Sequence, residues 1–205
     1  MVMIQPNGTV VTLVAGDAQT VEDLITGLDR RRLRNVDTVS LRPGSSEQGS
    51  GHTPDARDVT RRLLASHATY IVNDADPLEH VAAAWVEFFE SRSTMGTLEV
   101  EVEHAIDQLE SGTVVMPDYY LVLDPEALEG TWRHWWMGVL PAQSPNRVLP
   151  VEASVARVDR VLSRLPSARA WPRPSRWLRR LDRTVPERAG LETSMRTDDE
   201  ERGVA

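Results

Sequence analysis

The chain has no cysteine. Disulfides, thiolate metal sites and a cysteine nucleophile are therefore excluded. It has no lysine either, since all 23 basic residues are arginine. That removes a phosphate-binding P-loop lysine, a Schiff-base lysine and a lysine general base. No apolar run approaches the roughly 18 residues of a membrane span, and the first residues lack a basic region followed by an apolar core. The expectation is a cytoplasmic protein without a membrane span. Gly-rich phosphate signatures are missing too: Pro43-Gly44 and Gly49-Ser-Gly51 have no strand-to-helix context. Histidines are few and scattered, with His80, His104 and His134 on expected helices and none paired with a serine, an acid or a second ligand at metal spacing.

What is present is ordinary in bulk and uneven in distribution. The 205 residues are 40% apolar, enough for a packed core in one large or two small domains. Arginine in place of lysine, with abundant alanine and valine, points to a GC-rich bacterial genome. Net charge is -8. From Asp74 to Glu129 there are fourteen acidic residues against Arg92 alone, whereas Arg157 to Arg188 holds ten arginines against Asp159, Asp182 and Glu187. Such asymmetry implies internal complementarity or a charged partner.

Periodicity divides the chain into four stretches. Residues 1–75 read as a hairpin (Met1–Gln5, a turn at Pro6–Thr9, Val10–Val14), a helix from Thr20, a strand over Val36–Leu41 in a second sheet, a mobile loop at 43–53, a short helix at Asp55–Ser66 and a strand at Thr69–Val72. Thr20 and Asp23 have capping-box spacing. Residues 76–165 begin with apolar stripes at Leu78, Val81, Ala82, Trp85, Phe88 and Phe89 and at Leu98, Val102, Ala105, Ile106 and Leu109, the second stopped by Ser111-Gly112. A strand at Tyr119–Leu123 follows. Thr131 is positioned to cap the next helix, whose Trp132, Trp135, Trp136, Val139 and Leu140 share one face. A strand over Arg147–Val151 and a helix over Ser154–Leu165 complete this part. Residues 166–183 are rich in Arg, Pro and Trp, with a short helix at Arg176–Leu181. Residues 184–205 have the composition of a disordered tail. The expected fold is α/β, a mixed or mostly parallel sheet flanked by helices.

Two resemblances follow from quoted residues. Gly8-Thr-Val-Val-Thr-Leu13 with Gln19-Thr-Val-Glu-Asp-Leu24 resembles the start of the ubiquitin-like β-grasp fold, within residues 1–75. Leu121-Val-Leu-Asp-Pro-Glu-Ala-Leu-Glu-Gly-Thr-Trp132, followed by Val148-Leu-Pro-Val151, resembles the C-terminal half of the Toll/interleukin-1 receptor family over residues 98–151. There a tryptophan opens the helix after a strand and short loop, and the next strand ends in a Val-Pro-Val-like motif. NAD-cleaving members of that family place a glutamate four residues after the tryptophan. This sequence has Trp136 there, so that activity does not carry over.

Three groups of residues are functional candidates. Asp74, Asp76 and Asp124 follow strands, where parallel α/β folds gather ligands and where carboxylates can hold a divalent cation. Asp before Pro, at Asp76-Pro77 and Asp124-Pro125, is also a common loop arrangement, and that reading is preferred. Trp132, Trp135 and Trp136 anchor either the core, which is preferred, or an interface. Arg173, Arg176, Trp177, Arg179 and Arg180 interleave cations with an indole. They suit a nucleic-acid backbone, an anionic membrane surface or, preferably, the acidic 74–129 region. No catalytic set is complete and no cofactor is expected. The leading expectation is a non-catalytic interaction or adaptor protein with a protein partner, in bacterial signalling or defence. A metal-dependent hydrolase or nuclease using the three aspartates, and a nucleic-acid-binding accessory protein, are the alternatives.

Overall fold

The computed structural model describes residues 6–41, 55–166 and 171–183. Five strands form one sheet: β1 (Thr9–Val14), β2 (Val36–Val39), β3 (Tyr70–Asn73), β4 (Tyr119–Leu123) and β5 (Val148–Val151). The spatial order is β2-β3-β1-β4-β5 and every pairing is parallel. β1 is central. Thr9–Thr12 align with β3 on one side and Val11–Val14 with β4 on the other. Both edges of the strand are thus taken by parallel neighbours, and the hairpin expected with Met1–Gln5 lies outside the described residues. Val36–Val39 is an edge strand of this sheet, not part of a second one. The stretches 1–75 and 76–165 both contribute strands to it.

Alternation along the strands sends side chains to two layers. On one face, Val11, Leu13, Val72, Tyr119, Leu121, Leu123 and Val151 pack against α1 (Ala18–Arg31) and α7 (Val155–Leu162). These helices approach closely where Gly27 sits: a Cβ there would lie 2.6 Å from a Val155 methyl. On the other face, Val10, Val39 and Ile71 meet Val59 and Leu63 of α2 (Ala56–Ala65). Val14, Tyr120, Val122 and Val148 meet α3 (Glu79–Phe89), α4 (Met95–Ser111) and the tryptophan helix. Strands covered on both faces read as continuous apolar runs, as Tyr119–Leu123 does with all five residues buried.

The helix ends show which local signals decide. The α1 cap is Asp17, whose carboxylate accepts from the Thr20 N–H at 2.8 Å and the Thr20 hydroxyl at 2.8 Å, so the Thr20/Asp23 box expected from spacing does not form. Asp is as good an N-cap as Thr and stands one turn earlier. Asp55 and Asp58 do make a reciprocal capping box on α2. Gly112, at φ 73°, ends α4 in the left-handed region that favours glycine.

The tryptophan helix departs furthest from its expected form. It begins at Gly130 after Glu129, with no side-chain cap, so Thr131 is inside it. It runs as α5 (Gly130–His134), widens to a π-turn over Trp135–Val139, and closes as α6 (Leu140–Gln143). The indoles lie at different depths. Trp135 is 0% exposed and Trp136 is 5% exposed, while Trp132 is only half-buried. Trp135 contacts Trp85 at 5.7 Å between ring centroids, and Trp136 contacts Tyr120 at 5.5 Å.

Residues 171–183 return to the same face. α8 (Pro174–Leu178) packs on α4, with Trp177, Leu178 and Leu181 buried. This helix begins two residues earlier than expected and gives way to a 3₁₀ turn at Leu181–Arg183. Trp171 Nε1 donates to the Pro117 carbonyl at 2.6 Å. Arg179 grips Glu103 of α4 with two hydrogen bonds, at 2.8 and 3.0 Å. The loop at 43–53 and the tail at 184–205 lie outside the described residues.

Candidate functional site

A crevice of about 630 Å³ opens at the carboxyl ends of β1, β3 and β4. Its place follows from the topology. The connection leaving β1 crosses one face of the sheet toward β2, and the connection leaving β4 crosses the other face toward β5. Adjacent strands whose connections part in this way leave a gap between their loops, where open α/β sheets take ligands. One wall is the β1–α1 loop with Gly16 and Asp17, a second is the β3–α3 loop with Asp74, Asp76 and Glu79, and a third runs from Asp124 through Leu128 and Glu129 to Trp132 and Trp136.

All three aspartates expected at strand ends are therefore at one end of the sheet and in one crevice. Each is also engaged with its own loop. Asp74 accepts from the Ser40 hydroxyl and from the Leu41 N–H at 2.7 Å, tying the β3 end to the β2 end. Asp124 leaves β4 at φ 42°, in the left-handed region that Asp tolerates better than most residues. Its Oδ1 accepts from the Ala153 N–H at 2.9 Å and its own N–H donates to the Val151 carbonyl at 2.9 Å, so it ties β4 to β5. Asp76 Oδ1 accepts from the Leu78 N–H at 3.0 Å and the Tyr120 hydroxyl at 2.8 Å. Among the described residues, no three Asp, Glu or His side chains are grouped so as to hold a metal ion.

Asp76 has the most unusual environment. Its carboxyl group is fully buried, though the residue as a whole keeps some exposed surface. Oδ2 has no hydrogen-bond partner. Burial pushes the carboxyl up to about 7, against the hydrogen bonds from Leu78 and Tyr120, with Glu79 adding to the rise and His80 opposing it. The Tyr120 hydroxyl is raised as well, by burial first and then by Asp76. Asp17 is the opposite case: its hydrogen bonds from Thr20 hold an exposed carboxylate below its ordinary range.

The other candidates fall elsewhere. Arg173, Arg176 and Arg180 lie exposed on the α8 segment, Arg179 is spent on Glu103, and Trp177 is buried against the α4 core rather than offered at the surface. His134 is exposed, and Arg133 turns to Glu126 in the acidic region. Its guanidinium donates to the carbonyls of Pro125, Glu126 and Leu128, clamping the loop that forms the third crevice wall. Asp17, Glu79, Glu129 and Arg133 were not singled out from sequence. Asp17 alone carried a usable signal, an Asp after a strand and Gly, one turn before a helical stripe.

Neither a comparison with protein-family models nor one with curated proteins finds a match to this chain.

Proposed function

We propose that this protein is a non-catalytic interaction protein that receives its partner in the crevice at the carboxyl ends of β1, β3 and β4. The observation that carries the reading is the use made of the strand-end carboxylates. Asp74 and Asp124 spend hydrogen-bonding capacity on fixing the loops that shape the crevice, and Arg133 secures its third wall. A preformed cleft of several hundred Å³ with one aromatic wall is a common form of recognition site. The succession of helix, strand, short loop, helix with an early tryptophan and strand up to residue 151 is the order that the Toll/interleukin-1 receptor resemblance over residues 98–151 implies. The reading is of a cytoplasmic bacterial protein acting in signalling or defence. The bacterial origin is supported by the lysine-free composition. The Arg179–Glu103 pairing favours a structural role for part of the arginine-rich segment over nucleic-acid binding.

A photo-crosslinking amino acid at Ala127, on the crevice rim, tests this in the native host. A discrete adduct is expected there and not from Arg160 on α7. Divalent-metal-dependent turnover of a phosphodiester or ester, lost in both Asp74→Asn and Asp124→Asn, would replace this reading with the hydrolase alternative.

A further inference from the structure

The chemistry of the crevice walls goes further than its location. Six carboxyl side chains line it: Asp17, Asp74, Asp76, Glu79, Asp124 and Glu129. No arginine or histidine is among its described lining residues, and none of the six makes an ion pair among the described residues. This is unusual in a chain with 23 arginines, several of which neutralise carboxylates elsewhere. A cleft lined by one sign of charge focuses its field and concentrates ions of the other sign.

Two further observations point to an occupant. The half-buried Trp132 gives the crevice an indole surface, to which cations are drawn by the ring quadrupole. Asp76, in the second wall, holds a buried carboxyl oxygen with no partner at all. Buried polar groups are nearly always satisfied. In its ionised form Oδ2 lacks a donor, and a cation would satisfy it and favour that form over the neutral one that burial favours. Phosphates and carboxylates are disfavoured by the same walls. The helix N-termini at the crevice already carry carboxyl groups, with Asp17 capping α1, Glu79 opening α3 and Glu129 preceding α5.

We infer that the crevice is a receptor site for an organic cation, an ammonium or guanidinium group seated between Trp132 and the carboxylates of the three walls. This rests on the proposed function for the location of the site and adds the chemistry of what enters it. The cation has two sources, a free amine or guanidine and a basic side chain of a protein partner.

The experiment is a titration of the full chain, read by the side-chain N–H resonance of Trp132, with butylammonium, agmatine and an amidated Gly-Arg-Gly peptide. Butyrate and N-butylacetamide serve as anionic and neutral controls. Saturable shifts are expected from the cations alone, weakening as salt rises. Preference for the peptide over agmatine would assign the cation to a protein partner, and the reverse preference to a free metabolite. Glu79→Gln and Glu129→Gln, at exposed positions with no hydrogen bond that holds the fold, are each expected to weaken binding by a factor of about two to five, the scale of an exposed ion pair. Trp132→Leu, which lacks the reporter indole and is read by calorimetry beside the wild type, is expected to do the same through loss of the ring face, on the scale of an exposed cation–π contact. The inference is overturned if butyrate or N-butylacetamide binds as well as butylammonium. It is equally overturned if no cation saturates the resonance near or below about 1 mM, or if both glutamine variants bind as the wild type does. Survival of the Ala127 crosslink alongside such a failure would retain the partner site and discard only the cation.

Discussion

Replacing Asp76 by Asn should reverse its effect on stability as pH changes. In the folded protein burial holds this carboxyl at about 7, whereas its ordinary value is 3.8. A group raised on folding contributes stability that is fully present below its unfolded value and is lost as pH rises through the folded one. For Asp76 the loss runs from about pH 4 to about pH 7. The full rise corresponds to roughly 4 kcal/mol. Asn removes that dependence. It keeps an oxygen for the Leu78 N–H and the Tyr120 hydroxyl, but places an amide nitrogen where Oδ2 has no partner. Unpaired buried donors cost about 1–3 kcal/mol. Asp76→Asn should therefore be less stable than wild type by about 1–2 kcal/mol near pH 4 and more stable by roughly 1–3 kcal/mol near pH 8. The two curves should cross between about pH 4.5 and 6. Urea unfolding of both proteins at half-unit intervals measures this directly. A stability difference that stays flat across the range would refute the reasoning, because Asp76 would then titrate alike in the folded and unfolded chain.

Other substitutions probe the packing. Trp135→Ala should cost about 3–5 kcal/mol, the range for emptying a large aromatic site, Trp136→Ala nearly as much, and the half-buried Trp132→Ala clearly less, all by equilibrium unfolding. Arg133→Ala should leave the secondary structure intact and speed amide exchange at Ala127 and Leu128, because the loop loses its clamp. Arg179→Ala should change stability only slightly, with the difference shrinking further in high salt. Trp177→Ala on the same segment should be strongly destabilising by denaturant titration, showing that apolar burial rather than the ion pair holds α8.

The α/β class, the strand positions and the apolar face of each long helix were legible because short continuous apolar runs and period-3.6 stripes record burial directly. Tyr119–Leu123 and the α4 stripe are examples. The sheet order was not legible, since a parallel strand carries no mark of its neighbour. Nothing in Val10–Val14 says that β4 rather than β2 lies beside it. The tryptophan helix shows the limit of pattern at finer scale. A helical wheel assumes a constant turn, and the π-turn at Trp135–Val139 breaks that assumption; Pro141 just past it, with no N–H to donate to the Met137 carbonyl, was the signal available. For the candidate site, the strand-end aspartates were legible as a class. Their partners were not, because Asp74 meets Ser40 and Asp76 meets Tyr120 only through the fold. Glu79 and Glu129 looked like any solvated helix-end acids.

The central position of β1 has a consequence for how the chain is made. Thr9–Val14 leaves the ribosome first among the described strands but is completed late: Val10 waits for Asp118, 108 residues further on, to close its second edge. β3 can cover one side of it earlier. Until β4 emerges, the nascent chain carries a bare, strongly apolar strand edge of the kind that recruits other chains. Slowing translation between residues 75 and 118 should lengthen that exposure and lower the yield of folded protein, whereas slowing it after Leu123 should matter little.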